Sequence, residues 1–158
     1  LEKLFNKNNL YIGFAPGSQN EKKMWKLENY VKLALHFDNL GFIPTFFLGT
    51  KELNYKKYII EKLPNSLFPE ELISEFSGPE IVMASSQYLR FSVGNDAGTT
   101  QMLSFGKTPL IKLIGPTNSR KFTPSLDNFY TIDSKNYGSN DINLIPVDDV
   151  IKLIHTVI

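Results

Sequence analysis

Cysteine is absent from this 158-residue chain, and that one absence excludes a disulfide framework, an iron–sulfur cluster and a thiolate zinc site. Histidine occurs only as His36 and His155, so a histidine-rich metal site is excluded too and no metal is expected. Lack of cysteine fits a reducing compartment. No apolar run approaches the roughly 18 to 20 residues of a membrane span. The start, Leu1-Glu2-Lys3-Leu4-Phe5, has neither a signal-peptide core nor an initiator methionine, which points to a fragment of something longer. Charge of one sign is lacking as well: the formal net charge is +1 without a long basic or acidic block, so no nucleic-acid partner is implied and any anion site must be local. The P-loop and GxGxxG signatures are both missing, which leaves a kinase-like ATPase or a dinucleotide-dependent dehydrogenase without support.

What is present suits one domain, large enough to bury a core without covalent help. Short apolar runs alternate with helical patterns. Tyr11–Ala15, closed by Pro16-Gly17, reads as the first central strand, and Ser18–Met24 as a polar loop. A helix starts near Trp25 or Lys26, with Tyr30, Leu33, Ala34 and Phe37 on one face and Gly41 as terminator. Pro44–Leu48 reads as the second strand and the stretch from Tyr55 to Leu63 as the second helix. Ser66–Phe68 is a candidate third strand, Pro69-Glu70-Glu71 a helix start that Ser77-Gly78-Pro79 breaks, and Glu80–Leu89 a further short helix. Phe91–Val93, Leu110–Ile114 and Phe129–Ile132 are strands. A helix from about Ala97 to Phe105 ends at Gly106, 115–127 is a long polar loop carrying Arg120 and Lys121, and Pro146–Ile158 closes the chain as a helix. The fold class expected is α/β, a doubly wound, mostly parallel, Rossmann-like sheet.

Three segments converge on the carboxyl end of such a sheet: Pro16–Lys23, Gly49–Glu52 and Gly94–Thr100. Ligands of open α/β sheets bind there. A helix beginning at Asn95–Ala97 offers free backbone N–H groups, Gly98 lets a phosphate approach, Thr99 and Thr100 add hydroxyls, and Lys22 or Lys23 supplies a cation. A phosphate or diphosphate site is the favoured reading. Each feature also has a plainer one: Asn95 or Asp96 as an N-cap, Gly17, Gly94 and Gly115 as turn glycines, the lysines as surface charges, Trp25 as core and the two histidines as structural.

In combination these pieces resemble glycosyltransferase family 9, the lipopolysaccharide heptosyltransferase type. The resemblance rests on Ala15-Pro16-Gly17-Ser18 with Lys23-Met24-Trp25, Gly49 with Glu52, Val93-Gly94-Asn95-Asp96-Ala97-Gly98-Thr99-Thr100-Gln101, Gly106-Lys107-Thr108-Pro109 and Gly115-Pro116-Thr117. Those blocks stand in the family's order and at about its spacing, from Tyr11 to Ile132.

The resemblance implies the C-terminal half of a GT-B fold, with an N-terminal acceptor-binding domain outside residues 1–158, and a nucleotide-diphospho-sugar, commonly ADP-heptose, as donor. It implies that Lys23 contacts the diphosphate with Ser18 and Gln19 beside it, that Glu52 bonds the ribose, and that Asp96 faces the donor sugar. The backbone around Ala97, Gly98 and Thr99 would hold the phosphates, with Asn95, Thr100 and Gln101 also among the donor-binding residues. No cofactor beyond this substrate is implied. The catalytic base belongs to the other domain, so this chain by itself binds donor without transferring sugar.

Two positions depart from the family's pattern. Gln101 stands where histidine is usual and donates a hydrogen bond without becoming cationic, and Lys23-Met24-Trp25-Lys26 replaces the commoner Lys-Arg-Trp-Pro. The implied location is the cytoplasm, peripheral to the inner membrane where the acceptor is a membrane-associated glycolipid. The competing expectations are another GT-B transferase or a nucleotide-sugar epimerase domain, a non-catalytic Rossmann-like interaction module, and a flavodoxin-like flavin module.

Overall fold

A computed structural model of the chain describes residues 1–117 and 127–158. Five strands form one sheet: β1 (Leu10–Ala15), β2 (Phe42–Phe46), β3 (Leu89–Asn95), β4 (Leu110–Ile114) and β5 (Phe129–Asp133). Their spatial order is β2-β1-β3-β4-β5, and every neighbouring pair is parallel. The mostly parallel sheet expected from the sequence is thus wholly parallel among the described residues. Because strand order reverses between β1 and β3, the connections after these two strands leave on opposite faces, and a crevice opens between their carboxyl ends.

Helices cover both faces. Helix α1 (Leu27–Asp38) buries Tyr30, Leu33, Ala34 and Phe37, the stripe that its 3.6-residue periodicity foretells. It shares a core with α6 (Val147–Val157), whose Val150 and Ile154 are fully buried, and with Ile12, Phe14, Phe91, Val93, Ile111 and Leu113 from alternate strand positions. On the other face Tyr11, Ala15, Leu89 and Leu110 pack with Val82 of α4 (Gly78–Ser85) and Leu103 of α5 (Gly98–Leu103). Phe5, ahead of β1, is buried there between Tyr11 and Tyr88, stacking on the latter at 4.8 Å. The remaining helices, α2 (Tyr55–Lys62) and α3 (Pro69–Leu72), follow β2.

Several boundaries differ from the sequence expectations, each for a local reason. The second strand runs from Phe42 to Phe46 with Pro44 inside it. Proline fits because the Pro44 carbonyl accepts from Leu67 N–H on the side away from β1, so the N–H it lacks also faces the sheet edge. Ser66–Phe68 is not a strand: Leu67 alone makes a parallel bridge, to Thr45. Helix α3 stops at Leu72, short of the break expected at Ser77-Gly78-Pro79, which instead begins α4: Ser77 and Glu80 close a capping box around that start. The helix expected over Glu80–Leu89 stops at Ser85, and after a 3-10 turn Leu89 pairs with Tyr11 in the sheet. The polar loop after β1 contains a 3-10 turn at Glu21–Lys23, capped by the Asn20 side chain. Two more such turns, Ser134–Tyr137 and Ile142–Leu144, organise the chain between β5 and α6. Arg120 and Lys121 lie outside the described residues.

Candidate functional site

The segments that follow β1, β2 and β3 meet at the β1–β3 crevice, as their positions at strand ends require. Asn95, the last residue of β3, holds two of the three together. Its side-chain amide donates to the carbonyls of Pro16 (2.7 Å) and Gly17 (3.4 Å), while its Oδ1 accepts from the Tyr30 hydroxyl (2.7 Å) and from Trp25 N–H (3.1 Å). Every polar valence of a fully buried side chain is used internally. Asn95 is therefore neither a donor contact nor an N-cap; it fixes the path of the loop from Pro16 to Trp25. Burial raises the Tyr30 hydroxyl well above its ordinary pKa, so it stays a donor. From the far side, Trp25 Nε1 donates to the Ile145 carbonyl (3.1 Å) and Lys26 N–H to Asn143 Oδ1 (2.9 Å), which tie the start of α1 to the C-terminal turn.

Asp96 comes next and points into the crevice. Its Oδ2 lies 3.5 Å from Lys23 Nζ and accepts a 2.7 Å hydrogen bond from Thr117, and its Oδ1 lies 3.5 Å from Lys112 Nζ. Partial burial works to raise the carboxyl's pKa, but the Thr117 hydroxyl and then the Lys112 and Lys23 ammoniums outweigh it and leave Asp96 below the ordinary carboxylate value. Thr117 is held in turn by Lys135, whose ammonium donates to the carbonyls of Gly115 (2.6 Å) and Thr117 (2.7 Å). The structure so brings together the two blocks that the sequence singled out around Asp96 and Thr117, one strand apart.

Of the two candidate lysines, Lys23 faces Asp96 and Lys22 is exposed. Ser18 Oγ accepts from Asn20 N–H, and Gln19 accepts from Lys51 Nζ at 2.9 Å across the mouth of a cavity. That cavity, of about 490 Å³, is lined by Met24, Leu27 and Tyr55, with Ser18, Lys51 and Glu52 on its polar side. Glu52 is buried. Its carboxyl group lies against the chain at Gly17 and Gly49, where a Cβ would sit 2.7 Å from it; only glycine permits that approach. Among the described residues no donor reaches the carboxylate.

The α5 turn matches expectation only in part. The helix starts at Gly98 after Ala97 and is six residues long. Ala97, Gly98 and Thr99 are accessible at its first turn, and a Cβ on Gly98 would meet nothing. Thr100, expected as a donor to phosphate, is buried with its Oγ1 packed against Gly94 so closely that a Cβ there would collide. It lines the core side of β3 and not the crevice. Gln101 is exposed.

Two contributors escaped the sequence reading. Lys112 was visible in principle, as a charge inside the apolar run Leu110–Ile114, since buried lysine demands a partner. Lys135 had no signal, because its role depends on a turn 18 to 20 residues earlier. The histidines, read separately, meet: His36 and His155 place their Nε2 atoms 2.9 Å apart and link α1 to α6 on the surface. Among the described residues no cluster of three or more metal-ligating side chains occurs, and no helix is long and apolar enough to cross a membrane.

Solved structures share this architecture. A glycosyl transferase of family 9 from Veillonella parvula superposes with a TM-score of 0.81 at 20% identity, covering 99% of this chain and 48% of its own. The E. coli ADP-heptose lps heptosyltransferase II gives 0.81 at 18% identity, covering 99% and 49%. The E. coli heptosyltransferase WaaC with ADP-2-deoxy-2-fluoro heptose gives 0.76 at 18%, covering 94% and 43%. The chain thus spans just under half the length of each of these three proteins. No curated protein matches at the level of sequence. The model of glycosyltransferase family 9 (heptosyltransferase) matches residues 2–143. With nearly the whole chain inside that match, and with the Rossmann-like fold of a GT-B C-terminal domain, the chain belongs to glycosyltransferase family 9.

Proposed function

We propose that this chain binds a nucleotide-diphospho-sugar as the donor half of a sugar transferase. The observation that carries the reading is the buried Glu52 carboxylate, which faces the 490 Å³ cavity with no donor from the described residues. A largely buried carboxylate at a cavity wall, without a donor from the described residues, suits a ligand that brings hydroxyl donors, as a ribose does. Lys23, next in sequence to the cavity-lining Met24, supplies the cation for a diphosphate, and the free N–H groups of the first turn of α5 add to it. Met24, Leu27 and Tyr55 give the apolar wall a base needs. ADP-heptose is the donor most in keeping with the family.

In the complete enzyme, an acceptor hydroxyl attacks the anomeric carbon and the nucleoside diphosphate leaves. A side chain of the N-terminal domain takes the hydroxyl proton, while Lys23 and the α5 turn stabilise the charge growing on the leaving diphosphate. Asp96 faces the donor sugar. The acceptor is a glycan of lipopolysaccharide type, and the protein works in the cytoplasm at the inner-membrane surface.

Calorimetry with ADP, UDP and GDP and their sugar conjugates tests the reading. Lys23→Ala/Asp96→Ala is expected to lower sugar-conjugate affinity by about tenfold or more. Equal affinity in the variant and the unaltered chain would remove these residues from the site. Binding of none of the nucleotides would end the proposal.

A further inference from the structure

Among the described residues only Glu52 and Lys112 are both charged and buried. Glu52 faces the cavity. Lys112 lies inside the sheet, between Gly94 and Thr131 in register, and its ammonium sits 5.4 Å over the Phe129 ring before it reaches Asp96. Its side chain is 4% exposed against 26% for Lys23, so Lys112 cannot reach a ligand in the crevice and Lys23 can.

The Asp96 carboxylate therefore has two cations, one on each oxygen, and the Thr117 hydroxyl besides. Two ammoniums against one carboxylate leave the cluster with one positive charge over. If Lys23 were the sole cation at Asp96, moving it to a phosphate would strand a half-buried carboxylate beside an incoming anion, and both charges would resist that exchange. Lys112 removes the conflict from below.

On the donor-binding reading above, we propose that Lys112 is a positioning residue: it holds and neutralises Asp96 so that Lys23 is released to the diphosphate of the donor. Without Lys112, Asp96 keeps Lys23 for itself and competes with the phosphate. The consequence is specific, because removing Asp96's charge should undo the loss.

The test uses calorimetry of the full 158-residue chain with ADP, UDP and GDP, and four variants. Lys112→Met is expected to bind the preferred nucleoside diphosphate about tenfold or more weakly than the unaltered chain. Lys112→Arg keeps the cation and stays nearer the unaltered value. Asp96→Asn leaves no carboxylate to hold Lys23 and sets the reference for the cluster without that charge, and Lys112→Met/Asp96→Asn recovers to the value of Asp96→Asn. A purely structural lysine would not produce this recovery of phosphate affinity. Lys112→Met binding like the unaltered chain would overturn the assignment, as would a double variant no better than Lys112→Met. Should Lys112→Met not fold, the double variant has no stranded charge, and a gap of about tenfold between it and Asp96→Asn overturns the proposal. Failure of the unaltered chain to bind any of the three nucleotides rejects the donor reading itself, an outcome distinct from failure of the Lys112 assignment alone.

Discussion

Asn95 shows how much one side chain can decide. Four internal hydrogen bonds converge on it from the loop after β1, from the start of α1 and from Tyr30. Replacing it with alanine leaves a buried hydroxyl, a buried N–H and the Pro16 carbonyl without partners. Asn95→Ala is therefore expected to cost about 2–4 kcal/mol of stability, measured by urea denaturation. Asn95→Asp should fare no better, since it sets a carboxylate against two carbonyl oxygens. A loss below about 0.5 kcal/mol in both variants would mean that water replaces these bonds. In the sequence Asn95 and Asp96 look alike, two cap-forming residues before a helix. Their division of labour, one inward and saturated, the other outward and paired with lysines, follows from the alternation of β3 and its twist into the crevice.

Among the elements, α3 has the distinctive acid–base behaviour. Glu70, in its first turn, lies near the end of β2, where burial pushes its carboxyl up to about 7. A hydrogen bond from Leu48 N–H opposes the rise, and the charges of Glu52 and Glu71 add to it. Because the folded value is raised above the ordinary 4.5, the folded protein holds a proton that the unfolded chain has lost between those two pH values, and stability falls as pH rises across that window. Asp96 runs the other way: its value is lowered, so its contribution is present above the ordinary carboxylate value and disappears on acidification. Glu70→Gln is expected to flatten the fall between pH 4.5 and about 7, read as urea midpoints across the window. A slope that persists in the variant would assign it to other groups. Element types were legible in the sequence wherever periodicity was strong, as in α1, α6, β1 and β4. Boundaries failed where a residue's type suggests one use and the fold gives it another, as with Ser77, which caps α4 and does not end α3, or Leu89, which leaves a turn to pair with Tyr11.

For the molecule as a whole, the cavity belongs to the folded state alone, since its walls come from the loops after β1 and β2. A nucleoside diphosphate at about 100 times its Kd should then stabilise the chain by about 2.7 kcal/mol, seen as a rise in Tm that grows with ligand concentration. The rise should shrink in Glu52→Gln if the carboxylate receives the ribose hydroxyls. An unchanged rise would move the ribose elsewhere in the crevice. The chain spans just under half the length of the three proteins it was superposed on, and on the proposed function the isolated chain shows this stabilisation without transferring sugar.

The sequence by itself determined the class of fold and which strand-end segments meet, because both depend on local features: alternating strand and helix periodicities, and turn residues at strand ends. It also placed Lys23, Glu52 and Asp96 at one crevice, since the carboxyl ends of parallel strands lie together whatever the details. Tertiary structure decided which polar groups are available to a ligand. Asn95 and Thr100 are consumed or buried, Lys23 and not Lys22 is paired with Asp96, and Lys112 and Lys135 are drawn in from other strands and turns. Availability is a matter of burial and of partners far apart in the chain, and neither is written in any local stretch of residues.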